Sequence, residues 1–232
     1  MITAAKKLGG SAGSEDIRYV CSSAEALECD VVDGTVDLIT AATAAHWFDM
    51  PRFWERAGRL LRPGGSVALW TTSTEGVHAD TPNHEAINRS WEAIRKREIE
   101  VFYGVGNMVS QQLYANLGLP WTVSPTVSGF PEDSILRKEW GTEGNGDVED
   151  EGEEFLINGQ TWRGLDSFEA VMGTGSPITR WREANPSKTG EEDVVRVMRR
   201  EVERLLKEAG VAEKDMAIKA QMTGVLLVVK KE

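Results

Sequence analysis

Residues 36–72 read VDLITAATAAHWFDMPRFWERAGRLLRPGGSVALWTT, and three successive patterns in that stretch set the expectation for the fold. The run from Val36 to Ala42 is apolar at nearly every position, as in a strand covered on both faces of a parallel sheet. Asp49 then stands where a helix N-cap accepts backbone N–H groups, and Pro51 falls in the first turn, where its missing N–H costs nothing. Phe53, Ala57, Leu60 and Leu61 recur at helical spacing and predict a core-facing stripe. Gly64-Gly65 is expected to stop that helix, and Ser66 to Thr72 reads as the next strand. Strands that alternate with helices across short loops predict an α/β domain with parallel strands.

Working outward, Ile17 to Cys21 is a short β-rich run and is expected to be an earlier strand of the same sheet. Beyond residue 73 the character changes. A helix over 82–101 is marked by Ile87, Trp91 and Ile94, and Gly104, Gly106, Pro120, Pro125 and Pro131 then punctuate short apolar pieces. The acidic run from Asp147 to Glu154 reads as a solvated loop without chemistry, and Glu154 to Ile157 as a short strand. Leu165, Phe168, Val171 and Met172 mark another helix. Thr189 and Glu192 fit a capping box ahead of a stripe of Val194, Val195, Met198, Val202, Leu205, Leu206 and Ala209, which Gly210 ends. Residues 223–231 close the chain as a buried strand. The expected organisation is a first core segment over 1–75, a cap or insertion with its acidic loop over 76–152, and the remaining core over 153–232.

Composition narrows the function. The chain has 232 residues, 41% of them apolar, and 26 basic against 37 acidic side chains leave a net charge of −11. Such a field repels phosphate backbones and anionic lipid, so neither nucleic acid nor membrane is expected as a partner. No apolar run approaches the ~20 residues that span a bilayer, and the opening MITAAKKLGG lacks the apolar core of a secretory signal, so the expected location is the cytoplasm. Cys21 and Cys29 read as two buried thiols in a reducing compartment, and His46, His78 and His84 show no metal-binding spacing, so no metal is expected.

Ligands of an open parallel sheet collect at the carboxyl ends of its strands. Residues 21–25, 41–49 and 71–75 should therefore line one crevice. In the second of these, Ala41, Ala42, Thr43, Ala44 and Ala45 run directly into His46-Trp47-Phe48, so the backbone can approach a ligand closely beside aromatic faces and an imidazole.

Residues 36–72, with their HWF turn and LRPGG helix end, resemble the middle of a class I S-adenosylmethionine-dependent methyltransferase, nearest the trans-aconitate methyltransferase subgroup. The segment from Ser23 to Leu27 is similar to the family's adenine-facing turn, and Thr179 to Pro186 with the last strand is similar to the subgroup's carboxyl-terminal part. The resemblance implies a Rossmann-like methyltransferase sheet, amino-terminally truncated, with a helical and loop-rich cap insertion. It also implies S-adenosyl-L-methionine as cofactor, held by Ser23, Ala24, Glu25, Ala41, Ala42 and Thr43. The acceptor is then a small molecule, either a carboxylic acid or a secondary-metabolite oxygen, bound by His46, Trp47 and Arg180. His46 is the one catalytic candidate, and a binding role suits it better than a basic one if the acceptor is an already ionised carboxylate. Family members begin with a strand, a glycine-rich turn and a second strand bearing an acid for the ribose. Here Met1 to Lys7 corresponds to the helix after that second strand, so the strand-helix-strand unit is expected to be absent, and Gly9 to Gly13 does not replace it. The alternatives are a catalytically inactive methyltransferase-like chain with a binding or scaffolding role, and a dinucleotide-dependent oxidoreductase, which fits the fold but has no motif. A monomer or a weak homo-oligomer is expected, and Ile17 to Cys21 either pairs with Val36 to Ala42 or leaves an open sheet edge.

Overall fold

The computed structural model describes residues 2–12, 15–27, 31–141 and 162–232. In chain order the elements are α1 (Ile2–Leu8), β1 (Ser11–Ala12), β2 (Glu15–Asp16), β3 (Val36–Ala42), α2 (Met50–Leu60), β4 (Leu61–Val77), α3 (His84–Ile94), α4 (Val105–Gln111), β5 (Leu136–Trp140), β6 (Trp162–Gly164), α5 (Leu165–Met172), α6 (Ser176–Ala184), α7 (Val194–Glu208) and β7 (Ala217–Lys230). The larger sheet has the strand order β3-β4-β7-β5, with β6 paired to β7; β1 and β2 form a separate two-stranded sheet. The β3–β4 ladder is parallel, with Ile39 opposite Val67 and Ala42 opposite Trp70. Two compact units divide the chain, one of Met1–Trp70, Asn116–Arg137 and Leu226–Glu232, the other of Thr71–Ala115 and Lys138–Val225.

The first unit is organised by α2. Asp49 caps it by accepting from Arg52 N, Pro51 sits in its first turn, and Met50, Phe53, Trp54, Ala57 and Leu60 are buried along one stripe, as the spacing predicted. Trp54 is fully buried, donates from Nε1 to Gly118 O at 2.8 Å, and meets Phe130 edge-on at 5.5 Å. At the helix's other end Lys231 Nζ donates to Gly58 O at 2.6 Å and Leu61 O at 2.8 Å, which satisfies carbonyls that the last turn leaves without partners.

Three expectations are corrected here. Gly64-Gly65 does not end α2; the helix stops at Leu60 and β4 begins at once, the two glycines lying in an irregularity where Val36 pairs Leu61 but Leu38 pairs Ser66. Gly64 takes φ +78°, and a Cβ on Gly65 would lie 2.9–3.1 Å from three carbonyl oxygens, so the pair permits a close fold-back of backbone on backbone. Second, Ile17 to Cys21 forms no strand. A strand needs a ladder partner, and here Ile17 N bonds Gly10 O and the Tyr19 hydroxyl bonds Gly9 O, leaving Ile17 and Val20 about half-exposed. Third, β3 is not covered on both faces. Leu38 is 54% exposed, and only Ala41 of the strand is buried.

In the second unit α3, α5 and α7 enclose Val77, Ile87, Leu165, Phe168, Val202, Leu205 and Leu206, with Trp91 stacked on Phe168 at 5.2 Å. The predicted helix over 82–101 appears as α3 followed by a π-helical turn at Arg95–Ile99 and a 3-10 turn at Glu100–Phe102. The stripe of α7 is buried as predicted from Val194 to Leu206, while Ala209 lies past its end. Its cap is Asp193, whose carboxylate accepts from Val195 N at 2.9 Å, and not Thr189, which precedes a separate 3-10 turn at Gly190–Glu192. Asp193 is fixed in that role by Arg182 at 2.6 Å. Cys21, expected to be buried, is exposed, because the segment that carries it is no strand of the sheet and no described residue packs it into the core. The acidic run from Asp147 to Glu154, the strand expected at Glu154 to Ile157, and Cys29 lie outside the described residues.

Candidate functional site

The site is built where β3 ends. Thr43 N–H donates to Trp70 O at 2.8 Å, one step past the Ala42–Trp70 pair, and Thr43 itself takes φ +47°. A β-branched residue in the left-handed region turns the chain sharply out of the ladder. Ala45, fully buried, then opens a 3-10 turn over Ala45–Trp47, and Asp49 starts α2. The run of small residues is thus the material of a tight strand-to-helix turn, with Ala42 and Thr43 left exposed at its crest.

Two aromatic side chains stand on this turn. The His46 and Trp47 rings lie 4.9 Å apart at 58°, and Trp47 is 50% exposed while Ala45 beneath is buried. Partial burial holds the His46 imidazole below its ordinary value, so it is the neutral base at neutral pH. Phe48 turns the other way, onto Phe53 at 5.1 Å, and belongs to the packing of α2.

The segment Ser23 to Ala26 is brought to the same turn. Glu25 Oε1 accepts from Asp49 N at 2.9 Å, a bond that spans 24 residues of sequence. That N–H holds the Glu25 carboxyl below its usual range, with its own backbone N–H and the Ser23 hydroxyl helping. Ser23 Oγ in turn accepts from Ala26 N at 3.2 Å, and Arg56 of α2 donates to Ala26 O at 2.9 Å. Ser23, Ala24, Glu25, Ala41, Ala42, Thr43, His46 and Trp47 therefore all belong to the first unit, and one clasp, Glu25 to Asp49, joins their two segments. The residue types alone did not reveal this clasp, because a glutamate in an acidic chain carries no mark of its partner.

Residues 71–75 and Arg180 belong to the second unit. There Arg180 NH1 donates to Phe102 O at 2.7 Å and to Asn107 Oδ1 at 2.9 Å, while Asn107 reaches Gly104 N and Ser176 Oγ, each at 3.0 Å. Arg180 thus ties α6 to the start of α4. The second unit also holds a cavity of about 230 Å³ lined by Arg97, Glu98, Trp181, Lys188 and Arg200, whose charges pair among themselves or with Glu191. Among the described residues no group of His, Cys, Asp and Glu is arranged to hold a metal, and no helix is long and apolar enough to cross a membrane.

Ligands of α/β sheets gather at such strand ends, and comparison with known proteins finds what this segment is similar to. Residues 1–69 match the methyltransferase domain family. The matched segment contains every first-unit residue of the site. A protein of Dictyostelium discoideum named as a methyltransferase is 42% identical over 73 residues, which are 32% of this chain and 26% of that protein. One of Mycobacterium bovis, named an uncharacterized methyltransferase, is 35% identical over 71 residues, 30% of this chain and 29% of that protein. The likeness thus spans under a third of these curated relatives. Among solved structures, one from Anaeromyxobacter dehalogenans, described as a type II methyltransferase, covers 93% of this chain and 71% of its own at 20% identity and a TM-score of 0.54. That likeness shows the fold: a mixed α/β, Rossmann-like methyltransferase sheet.

Proposed function

We propose that the chain belongs to a class I methyltransferase that takes S-adenosyl-L-methionine and methylates a small-molecule oxygen, a carboxylate of trans-aconitate type or a secondary-metabolite hydroxyl. The observation that carries this reading is the coincidence of the family match with the Glu25–Asp49 clasp: residues 1–69 contain both segments, and the clasp brings them to one strand end. The residues there fit the adenosine end of the cofactor. Ser23, Ala24 and Glu25 form a turn whose backbone is anchored through Ser23 Oγ, and Ala42 and Thr43 leave an exposed crest free of bulky side chains.

When bound, the cofactor supplies an electrophilic methyl group on a sulfonium. The chain's part is to hold and align. Ser23, Ala24 and Glu25 meet the base, Ala41, Ala42 and Thr43 let it approach the backbone, and the half-exposed face of Trp47 walls the acceptor. His46, neutral through burial, hydrogen-bonds a carboxylate acceptor through its ring N–H or takes the proton of a hydroxyl acceptor at its unprotonated ring nitrogen. A carboxylate needs no base, so alignment alone, worth about 7–11 kcal/mol of barrier, accounts for much of the rate. Arg180 belongs to the second unit, where its bonds to Phe102 and Asn107 hold its guanidinium in a defined place.

Calorimetric titration of S-adenosylmethionine and S-adenosylhomocysteine into the chain tests the reading. Micromolar binding that is lost in Ala24→Trp, with far-UV circular dichroism unchanged, supports it. Absence of binding by the chain, together with absence of binding by a version extended upstream, overturns it.

A further inference from the structure

The turn from Ser23 to Leu27 does not hold its shape unaided. It closes on itself through Leu27 N–H, which donates to Ser23 O at 3.0 Å, and through Ala26 N–H, which donates to Ser23 Oγ at 3.2 Å. Yet it ends on Leu27 at φ +40°, in the left-handed region, where a residue with a Cβ is disfavoured and persists only when its surroundings fix it. Ser23 is exposed and Ala24 to Leu27 are only half-buried, so packing supplies little of that restraint.

The restraint comes from α2. Glu25 Oε1 accepts from Asp49 N at the start of the helix, and Arg56 donates from Nε to Ala26 O at 2.9 Å. Asp49 and Arg56 are seven residues apart, about 10 Å along a helix axis, so two consecutive residues of the turn are gripped at two separate points. One grip alone would leave the turn free to pivot; the second fixes its direction. Arginine suits the task because its donors diverge in one rigid plane. While Nε serves Ala26, NH1 donates to Asp33 Oδ1 at 2.8 Å, which sets the plane of the guanidinium. The Asp33 side chain is 57% exposed, so this ion pair by itself contributes little stability and its part is orientation.

We propose that Arg56 is a positioning residue for cofactor binding: through Ala26 O it fixes the direction in which Ser23, Ala24 and Glu25 present themselves to the adenine base. The role rests on the S-adenosylmethionine reading given above. Arg56 acts through the turn and does not itself meet the base.

Replacements of matched length separate the bond from the charge. Glutamine carries Nε2 where arginine carries Nε, so Arg56→Gln keeps a donor for Ala26 O and loses the ion pair with Asp33. Arg56→Met puts a methyl carbon at that position and loses both. Calorimetric titration of S-adenosylhomocysteine, and separately of adenosine, should show both ligands bound about 10-fold more weakly by R56M and within about 2-fold of wild type by R56Q, with unchanged far-UV circular dichroism. A contribution through the ion pair alone would weaken the two variants alike. Amide exchange without ligand supplies a second readout: the Leu27 amide should exchange faster in R56M and at the wild-type rate in R56Q. Equal loss of affinity in the two variants, wild-type affinity in R56M, or a loss seen with S-adenosylhomocysteine but not with adenosine overturns the proposal and leaves the cofactor reading standing. Absence of binding by the wild type, both as this chain and in a version extended upstream, overturns the cofactor reading and the role of Arg56 together.

Discussion

The two adjacent glycines of the β3–β4 fold-back differ in what they demand, and the difference is measurable. An alanine Cβ at Gly65 would lie 2.9 Å from Val36 O, 3.0 Å from Arg62 O and 3.1 Å from Asp37 O, all of them backbone atoms. No rotamer change relieves such contacts, so the strands must separate locally, at the roughly 1–3 kcal/mol typical of overpacking. At Gly64 the nearest atoms are the ends of two flexible side chains, Arg62 at 3.7 Å and Lys230 at 4.0 Å, but φ is +78°. Alanine there costs about 1–2 kcal/mol for conformation alone. Asparagine separates the two causes, because it tolerates the left-handed region but is larger than alanine. Gly64→Asn should regain most of the stability lost in Gly64→Ala, whereas Gly65→Asn should be no better than Gly65→Ala. With a urea m-value of about 2–3 kcal/mol/M, a 2 kcal/mol loss moves the unfolding midpoint by roughly 1 M, well resolved by tryptophan fluorescence. Equal stability of Gly65→Ala and wild type, or rescue by asparagine at position 65, would refute the assignment of space to one glycine and conformation to the other.

Glu25→Gln should remove a pH-dependent share of stability. Because the folded carboxyl lies below its ordinary 4.5, wild-type stabilisation from this group is fully present above that value and fades as pH falls through the folded value, so urea midpoints of wild type and variant should converge as the pH is lowered below 4.5. Arg180→Met strands Phe102 O and Asn107 Oδ1 and should lower stability by roughly 1.5–3 kcal/mol, the range for bonds to a charged donor; an unchanged midpoint would mean that these bonds contribute nothing. His46→Ala should leave homocysteine-product binding unchanged by calorimetry and lower turnover on a hydroxyl acceptor by about 10²-fold or more, with the wild-type acid limb falling below the ordinary imidazole value of 6.5 because burial lowers it.

What the sequence made legible depended on whether the decisive contacts were local. The α2 stripe, its Asp49 cap and Pro51 were readable because each is a short-range pattern, and the structure places Phe53, Ala57 and Leu60 in the core accordingly. The α7 stripe was readable for the same reason, but its cap was misassigned. Thr189 and Glu192 fit a motif, yet Asp193 sits next to the stripe and has Arg182, 11 residues upstream, to hold it. The Gly64-Gly65 pair looked like a helix stop because glycine is ambiguous without its surroundings; only the carbonyls of Val36 and Asp37 show why Gly65 is needed. At the candidate site, His46 and Trp47 stood out by type, whereas the Glu25–Asp49 bond and the Thr43–Trp70 bond rest on pairings 24 and 27 residues apart that no local pattern announces.

The strand VDLITAA shows most directly how composition and environment can part. Its apolar continuity is the pattern of a strand enclosed by a parallel sheet, and parallel strands are found almost only with both faces covered. In this structure the same residues form an edge, with Leu38 exposed and no buried residue before Ala41 among those described. Apolar continuity reports which side chains a strand carries and not which of its edges is paired, so it cannot tell an enclosed strand from one that borders β4 alone among the described residues. The parallel partner was predictable, because a helix links β3 to β4 and a crossover of that kind brings the two strands together side by side; the exposure of Leu38 was not, because it depends on what packs over the sheet and not on the strand itself.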